Sequence, residues 1–337
     1  MAEKRKHAKR TVQKPGKNGY PLKGRTRSQR LREAMRARAV MKDSLPALRV
    51  AANNEVAVPD PDNPEMAAFL AKNALDGGTL LTMLADVSRS VCRIDRVVGS
   101  ERFPVATGIL IAPDKVMTCR HVLHDCDCKL KEFGEDGRRW QMPEEGSIEA
   151  VFGAQPFQSS IIRPIESVVY GDNVSGRSFT DEVLEVAIVQ LRPLPDGEIQ
   201  PGDPMPLVTN DSTIASRAAI AVIGFPGAGT PPADQPVSDA ILRVFGTDAE
   251  LNKRHMLIGV GTLEESGIPR TAARYYTHFA PTMPGMSGGA VIDLASGSLV
   301  GLHASGTHFK ENRFHLFGPM LRFLGSSHPF RKDIDAL

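Results

Sequence analysis

From about residue 90 onward the chain predicts a mainly β fold, and three features carry that expectation. Short runs rich in Val, Ile and Leu recur at 91–94, 105–111, 115–118, 148–152, 160–169, 184–191, 218–224, 240–244, 256–260, 275–279, 290–293 and 299–303. Glycine and proline clusters punctuate them, as in Gly224-Phe225-Pro226-Gly227. The runs do not alternate with amphipathic helical patterns, so barrels or a sandwich are expected rather than β/α units.

Residues 1–60 are poor in large apolar side chains and rich in Lys, Arg, Pro and Asn, so a disordered tail is expected there, with a short helix around 28–41. A helical segment follows at 61–89. Met66, Phe69, Leu70 and Leu75 keep helical spacing, Gly77-Gly78 interrupts it, and Leu80, Leu81 and Leu84 resume it. The β region then fills 90–330 in two halves, about 90–200 and 201–325, with the Pro-rich stretch 192–206 as the crossing between them. A last helix is expected over 319–324.

The net charge of +2 conceals an asymmetry. Residues 1–40 hold fourteen Lys or Arg against Glu3 and Glu33, so the rest of the chain carries 27 basic and 37 acidic groups. Such a tail is expected as a solvated leader. Contact with an acidic partner or nucleic acid is the alternative, and no aromatic interleaving supports it. No apolar run is long enough to span a membrane, and the basic N-terminus lacks the apolar stretch of a secretory signal. Three of the four cysteines crowd at Cys119, Cys126 and Cys128, which is no disulfide framework, so a reducing, cytoplasmic setting is expected.

Three segments carry candidate chemistry: Thr118-Cys119-Arg120-His121-Val122, Glu185-Val186-Ala187-Ile188-Val189, and Pro284-Gly285-Met286-Ser287-Gly288-Gly289. A serine hydroxyl is a poor nucleophile at neutral pH and needs a base within hydrogen-bond reach. It also needs amide hydrogens aimed at the developing oxyanion, and glycine permits the turn that aims them. Gly285 and Ser287 are the expected donors. A Gly-x-Ser-x-Gly match also describes the nucleophile elbow of α/β-hydrolases, but that fold needs a helix after the serine and the histidine last in the chain. Here a strand, the turn Ala295-Ser296-Gly297 and another strand follow.

The order His, acid, Ser resembles the trypsin-like (chymotrypsin-fold) serine peptidases, particularly their bacterial members. Thr107-Gly108-Ile109-Leu110-Ile111 with Thr118-Cys119-Arg120-His121, then Ile223-Gly224-Phe225-Pro226-Gly227, Ser287-Gly288-Gly289 and Val300-Gly301-Leu302-His303, carry the resemblance over roughly 90–324. It implies paired six-stranded barrels with the active site in the cleft between them, a serine endopeptidase activity on protein or peptide substrates, His121 as general base and Ser287 as nucleophile. The family places Asp where this chain has Glu185. Glu185 is therefore the expected orienting acid, with Asp181 and Glu182 as alternatives. Thr282 and His303 resemble the pocket of glutamyl endopeptidases, which implies cleavage after acidic residues.

Arg96-Val97-Val98-Gly99 resembles an activating cleavage site but lies too close to His121, and Met286 stands where the family's ion-pairing Asp would be. The cluster of His121, His124, Cys126 and Cys128 does not have zinc-motif spacing, so no metal or cofactor is expected. Two other functions fit parts of the sequence. One is a weak or inactive peptidase-like binding module, favoured by Glu185; the other is a nucleic-acid-associated protein acting through the basic tail. An esterase on the same site chemistry is a further variant.

Overall fold

Strand pairing in the first half begins with a hairpin that Gly99 makes possible. β3 (Val91–Val98) and β4 (Glu101–Ala112) meet with Val98 opposite Glu101, leaving Gly99 and Ser100 to turn, and Gly99 takes φ +60°. The structure is a computed structural model, and it describes residues 45–51, 55–57, 63–132, 138–153, 160–172, 184–195, 197–198, 200–208, 217–227, 243–245, 255–264, 275–307 and 311–336. The expected tail at 1–44, including the helix at 28–41, lies outside them.

β3 and β4 join β5 (Lys115–Thr118), β8 (Ser147–Phe152), β9 (Ile161–Gly171) and β10 (Ala187–Leu191) in a closed antiparallel barrel of order β10-β5-β4-β3-β8-β9. Closure removes both sheet edges and lets the barrel fill with side chains such as Ile94, Leu110, Val116 and Val189. The barrel also buries an ion pair: Arg93 Nε and Nη2 donate to the two oxygens of Asp95 at 2.6 Å each. A small hairpin of β6 (Lys129–Glu132) and β7 (Arg138–Gln141) packs on β9, where Trp140 Nε1 donates to Gly171 O at 3.1 Å.

The second half was expected to close as another six-stranded barrel. Among the described residues it is an open antiparallel sheet of eight strands, in the order β13-β16-β15-β14-β11-β12-β1-β2. Its members are β11 (Ala219–Gly224), β12 (Leu257–Thr262), β13 (Tyr276–His278), β14 (Ala290–Asp293), β15 (Leu299–Thr307), β16 (Glu311–Leu316) and two strands from upstream. Those are β1 (Leu48–Val50) and β2 (Val56–Ala57), which fall where a tail to residue 60 was expected. Leu48 pairs with Ile258, and Leu48 and Val50 are buried, so β1 caps the β12 edge with an apolar face. Every residue of β11 is buried, with Ala221 and Ile223 in the core shared with the first barrel and Ile220 and Val222 in a second core beyond the sheet.

Helices close the surface. α1 (Pro64–Lys72) starts with Asn63 Oδ1 accepting from the Met66 amide at 2.8 Å. α2 (Gly77–Ser88) begins on the two glycines rather than being interrupted by them, because Asp76 caps it: its Oδ2 accepts from the Thr79 amide at 2.8 Å. First-turn amides have no intrahelical partner, so glycine costs little there. The chain breaks earlier, at Ala74 with φ 52°. The crossing at 192–206 lies against the first barrel, where Ser90 Oγ donates to Asp203 O and the Met205 amide to Leu110 O. Residues 243–245 are helical where a strand was expected, and 240–242 lie outside the described residues. α4 (Phe317–Leu324) and α5 (Pro329–Asp335) end the described chain. Among the described residues, no helix is long and apolar enough to cross a membrane.

Candidate active site

The pairing of β5 with β10 brings His121 and Glu185 together. Thr118 sits opposite Ala187 in an antiparallel pair, so residues just after Thr118 face residues just before Ala187. The chain there turns into a short helix, α3 (Arg120–Asp125), whose first turn is buried. Across from it stands Glu185, also fully buried. Glu185 Oε2 accepts from the His121 amide at 3.1 Å and from its Nδ1 at 2.9 Å. The other oxygen, Oε1, accepts from Arg120 Nε at 3.1 Å and Nη2 at 2.6 Å.

Burial alone would raise the Glu185 carboxyl, but the hydrogen bonds and charges of His121 and Arg120 outweigh it and hold the group below the usual carboxylate range. An ionised carboxylate only accepts, so His121 Nδ1 carries the hydrogen and a neutral ring keeps Nε2 free of one. Nε2 is then the basic atom. Asp181 and Glu182, the alternative acids, lie outside the described residues.

Ser287 stands in the loop between β13 and β14, and β4 holds that loop. The Thr107 amide donates to Ser287 O at 2.9 Å and its hydroxyl to Gly285 O at 3.0 Å, while Thr118 Oγ1 donates to Thr107 O at 2.7 Å. Gly288, with φ +85°, is pressed so closely that an added Cβ would sit 2.1 Å from Thr107 O. Thus the strands that lead to His121 also carry the Ser287 loop. His121, Ser287, Gly285, Thr282, His303 and Asn312 line one cavity of about 340 Å³. Among the described residues, neither the Gly285 nor the Ser287 amide donates to another backbone group, and Gly285 holds φ +94°.

Also lining the cavity, Thr282 Oγ1 donates to Asn312 Oδ1 at 2.9 Å, and Asn312 Nδ2 donates to Ala280 O at 2.8 Å. His303 is buried on β15, with its Nδ1 3.3 Å from His278 Nε2. Burial, with His121 nearby, pushes the His303 imidazole down to about 3, and His278 is likewise driven far down by burial and by His303. Both rings are neutral at physiological pH. Burial thus denies this wall of the cavity the charge that a protonated His303 would add.

Thr107 and Arg120 entered the sequence reading only inside longer phrases, and no role fell to them or to His278, Asn312 and His315. His315 Nε2 accepts the Glu185 amide at 3.2 Å, which fixes the acid's backbone. Arg96 is held by Glu145 O at 2.5 Å and by Asp127, so the segment resembling an activation site is the end of β3 and its turn. All four cysteines are buried thiols. Cys119 Sγ donates to His303 O at 3.2 Å, and burial pushes Cys128 up to about 12. Among the described residues, no cluster of three or more metal-ligating side chains occurs.

A family model described as a trypsin-like peptidase domain matches residues 106–302. That span contains His121, Glu185 and Ser287 and stops one residue short of His303. No curated protein matches the chain. Among solved structures, an inactivated protease paralogue of the scabies mite is 15% identical, covers 74% of this chain and 96% of its own, and has a TM-score of 0.48. A serine endoprotease from Yersinia pestis is 13% identical over 73% of this chain and 64% of its own, with a TM-score of 0.43.

Proposed function

This chain belongs to the trypsin-like peptidase domain family, and from that premise we propose that it is a serine endopeptidase working through Ser287, His121 and Glu185. The observation that carries the reading is the 2.9 Å contact from His121 Nδ1 to Glu185, made at the wall of the cavity that Ser287 also lines. Ser287 Oγ attacks the substrate carbonyl while His121 Nε2 takes its proton. The Gly285 and Ser287 amides receive the oxyanion, and Glu185 steadies the imidazolium through Nδ1. His121 then gives the proton to the leaving amine, and water enters by the same route to hydrolyse the acyl-enzyme.

The preferred substrate carries an acidic side chain before the cut. Thr282 and His303 both line the cavity; a neutral imidazole donates to a carboxylate, and the Thr282 hydroxyl does so by turning its one hydrogen away from Asn312 Oδ1. In the tautomer in which His303 Nδ1 accepts from His278, the Nε2–H of His303 is the donor offered to the substrate. Recognition on this reading is by hydrogen bonds rather than by a full positive charge.

Proteome-wide mapping of cleavage sites, wild type beside Ser287→Ala, tests both levels. The expected result is a set of cuts, absent from the variant, with Glu or Asp enriched before the bond. Cuts without that enrichment would remove the acidic preference, and identical peptides from both proteins would remove the peptidase reading.

A further inference from the structure

Arg120, one residue before the base, has no exposed surface. A buried guanidinium is costly unless its donors are matched, and among the described residues a single carboxylate oxygen takes two of these. Nε and Nη2 both donate to Glu185 Oε1, at 3.1 and 2.6 Å, while Nη1 lies 3.5 Å from His124 Nε2. The carboxylate is thereby divided: Oε1 belongs to Arg120 and Oε2 to His121. A glutamate has one more torsion than an aspartate, and its terminal torsion is broad, so its oxygens need an external anchor to keep one plane. A rigid guanidinium fork supplies one where a lysine would supply only a point charge.

We infer that Arg120 is a positioning residue: by anchoring Oε1 it lets a glutamate do the orienting work at a place where the family carries aspartate. This rests on the reading of Ser287 and His121 given above. Arg120 also governs the charge of the acid. The groups that bear on Glu185 are Arg120 and His121 from α3, Cys119 at the end of β5, and His315 and Tyr275 from the second sheet, with the Tyr275 and His315 rings 4.5 Å apart. Arg120 is the permanent cation among those described residues. Without it, burial drives the Glu185 carboxyl upward with only His121 to oppose it.

The test is the rate at which a fluorophosphonate acylates Ser287, followed from acid to alkaline pH. Arg120→Met is expected to lower the neutral-pH rate by about 10- to 100-fold, well inside the ~10⁴-fold that loss of the orienting acid can cost. Its acid limb moves to higher pH, so the deficit shrinks as Glu185 ionises. Arg120→Lys keeps the charge, is expected to lose less, and serves if the methionine variant does not fold. In a Glu185→Gln background, Arg120→Met is expected to cost nothing further. An equal loss in both backgrounds, or an unmoved acid limb, would overturn the inference. A second readout needs no turnover: the deshielded Nδ1 proton of His121, observed by NMR, is expected in wild type and absent from Arg120→Met at neutral pH. Its undiminished persistence in the variant counts against Arg120. Should wild type fail to label at Ser287, the peptidase reading falls and the NMR comparison still decides the role of Arg120.

Discussion

Replacing Glu185 with aspartate, the residue the family carries there, shortens the side chain by one methylene and withdraws the carboxylate by about 1.5 Å. Four hydrogen bonds depend on its reach, at 3.1 and 2.6 Å from Arg120 and at 3.1 and 2.9 Å from the His121 amide and Nδ1. Such a retraction takes each beyond hydrogen-bond distance unless α3 follows. The residue that opens α3 is tied down, because Cys119 Sγ donates to His303 O and Thr118 is paired in β5. The bond that bears on turnover is the one to Nδ1. A hydrogen bond to a charged group is worth about 1.5–3 kcal/mol net, which converts to a loss of about 10- to 150-fold in kcat/KM. The assay is acylation by an ester substrate under single-turnover conditions, with far-ultraviolet circular dichroism to confirm the fold. If Glu185→Asp equals or exceeds wild type, the carboxylate is not held as described and the argument from reach fails.

Further predictions concern packing, pH and the pocket. Gly288→Ala places a Cβ 2.1 Å from Thr107 O at φ +85°, and should cost at least about 2 kcal/mol in chemical denaturation and abolish labelling of Ser287. Gly99→Ala also takes a positive φ but meets nothing within 4 Å, so only about 1 kcal/mol should be lost and labelling retained. His303 and His278 are neutral in the fold with lowered values, whereas in the unfolded chain they take up protons near pH 6.5. Their contribution is therefore complete above about pH 6.5 and is lost as pH falls toward the folded values, on the order of several kcal/mol by about pH 3. Glu185, held low by its partners, adds a further loss at lower pH, as it becomes protonated. Urea titrations at a series of pH values read this, and a stability that stays flat from neutral to acid pH would contradict it. Thr282→Val should reduce the preference for Glu over Ala before the cut by about 10-fold, as expected for one lost hydrogen bond to a charge. An unchanged ratio would take Thr282 out of recognition.

In both sheets the strands that were legible are those that carry a continuous apolar signal. Ala290–Asp293 begins and ends where the pattern does, and Lys115–Thr118 likewise. The strands that escaped are those without that signal. Lys129–Glu132 and Arg138–Gln141 are mostly exposed and charged, and Glu311–Leu316 mixes polar and apolar residues. Leu48–Val50 was lost in a basic region because two apolar residues make no period. They become a strand only by meeting β12. At the site, the glycines around Ser287 and the approach to His121 were visible as local phrases. Glu185 could not be separated from Asp181 and Glu182 by local pattern, since it is the register of Thr118 on Ala187 that sets it opposite α3. Nothing local to Arg120 shows that the carboxylate it meets lies 65 residues away. The buried charge state of His303 was equally hidden, because it depends on His278 and on what covers both.

The most direct measurement is peptide mapping of the chain after treatment with a fluorophosphonate, in wild type and in His121→Ala. A hydroxyl activated by an imidazole across a shared cavity predicts one adduct, on Ser287, that is all but absent from the variant. No adduct on Ser287, or one that forms equally fast without His121, would contradict it.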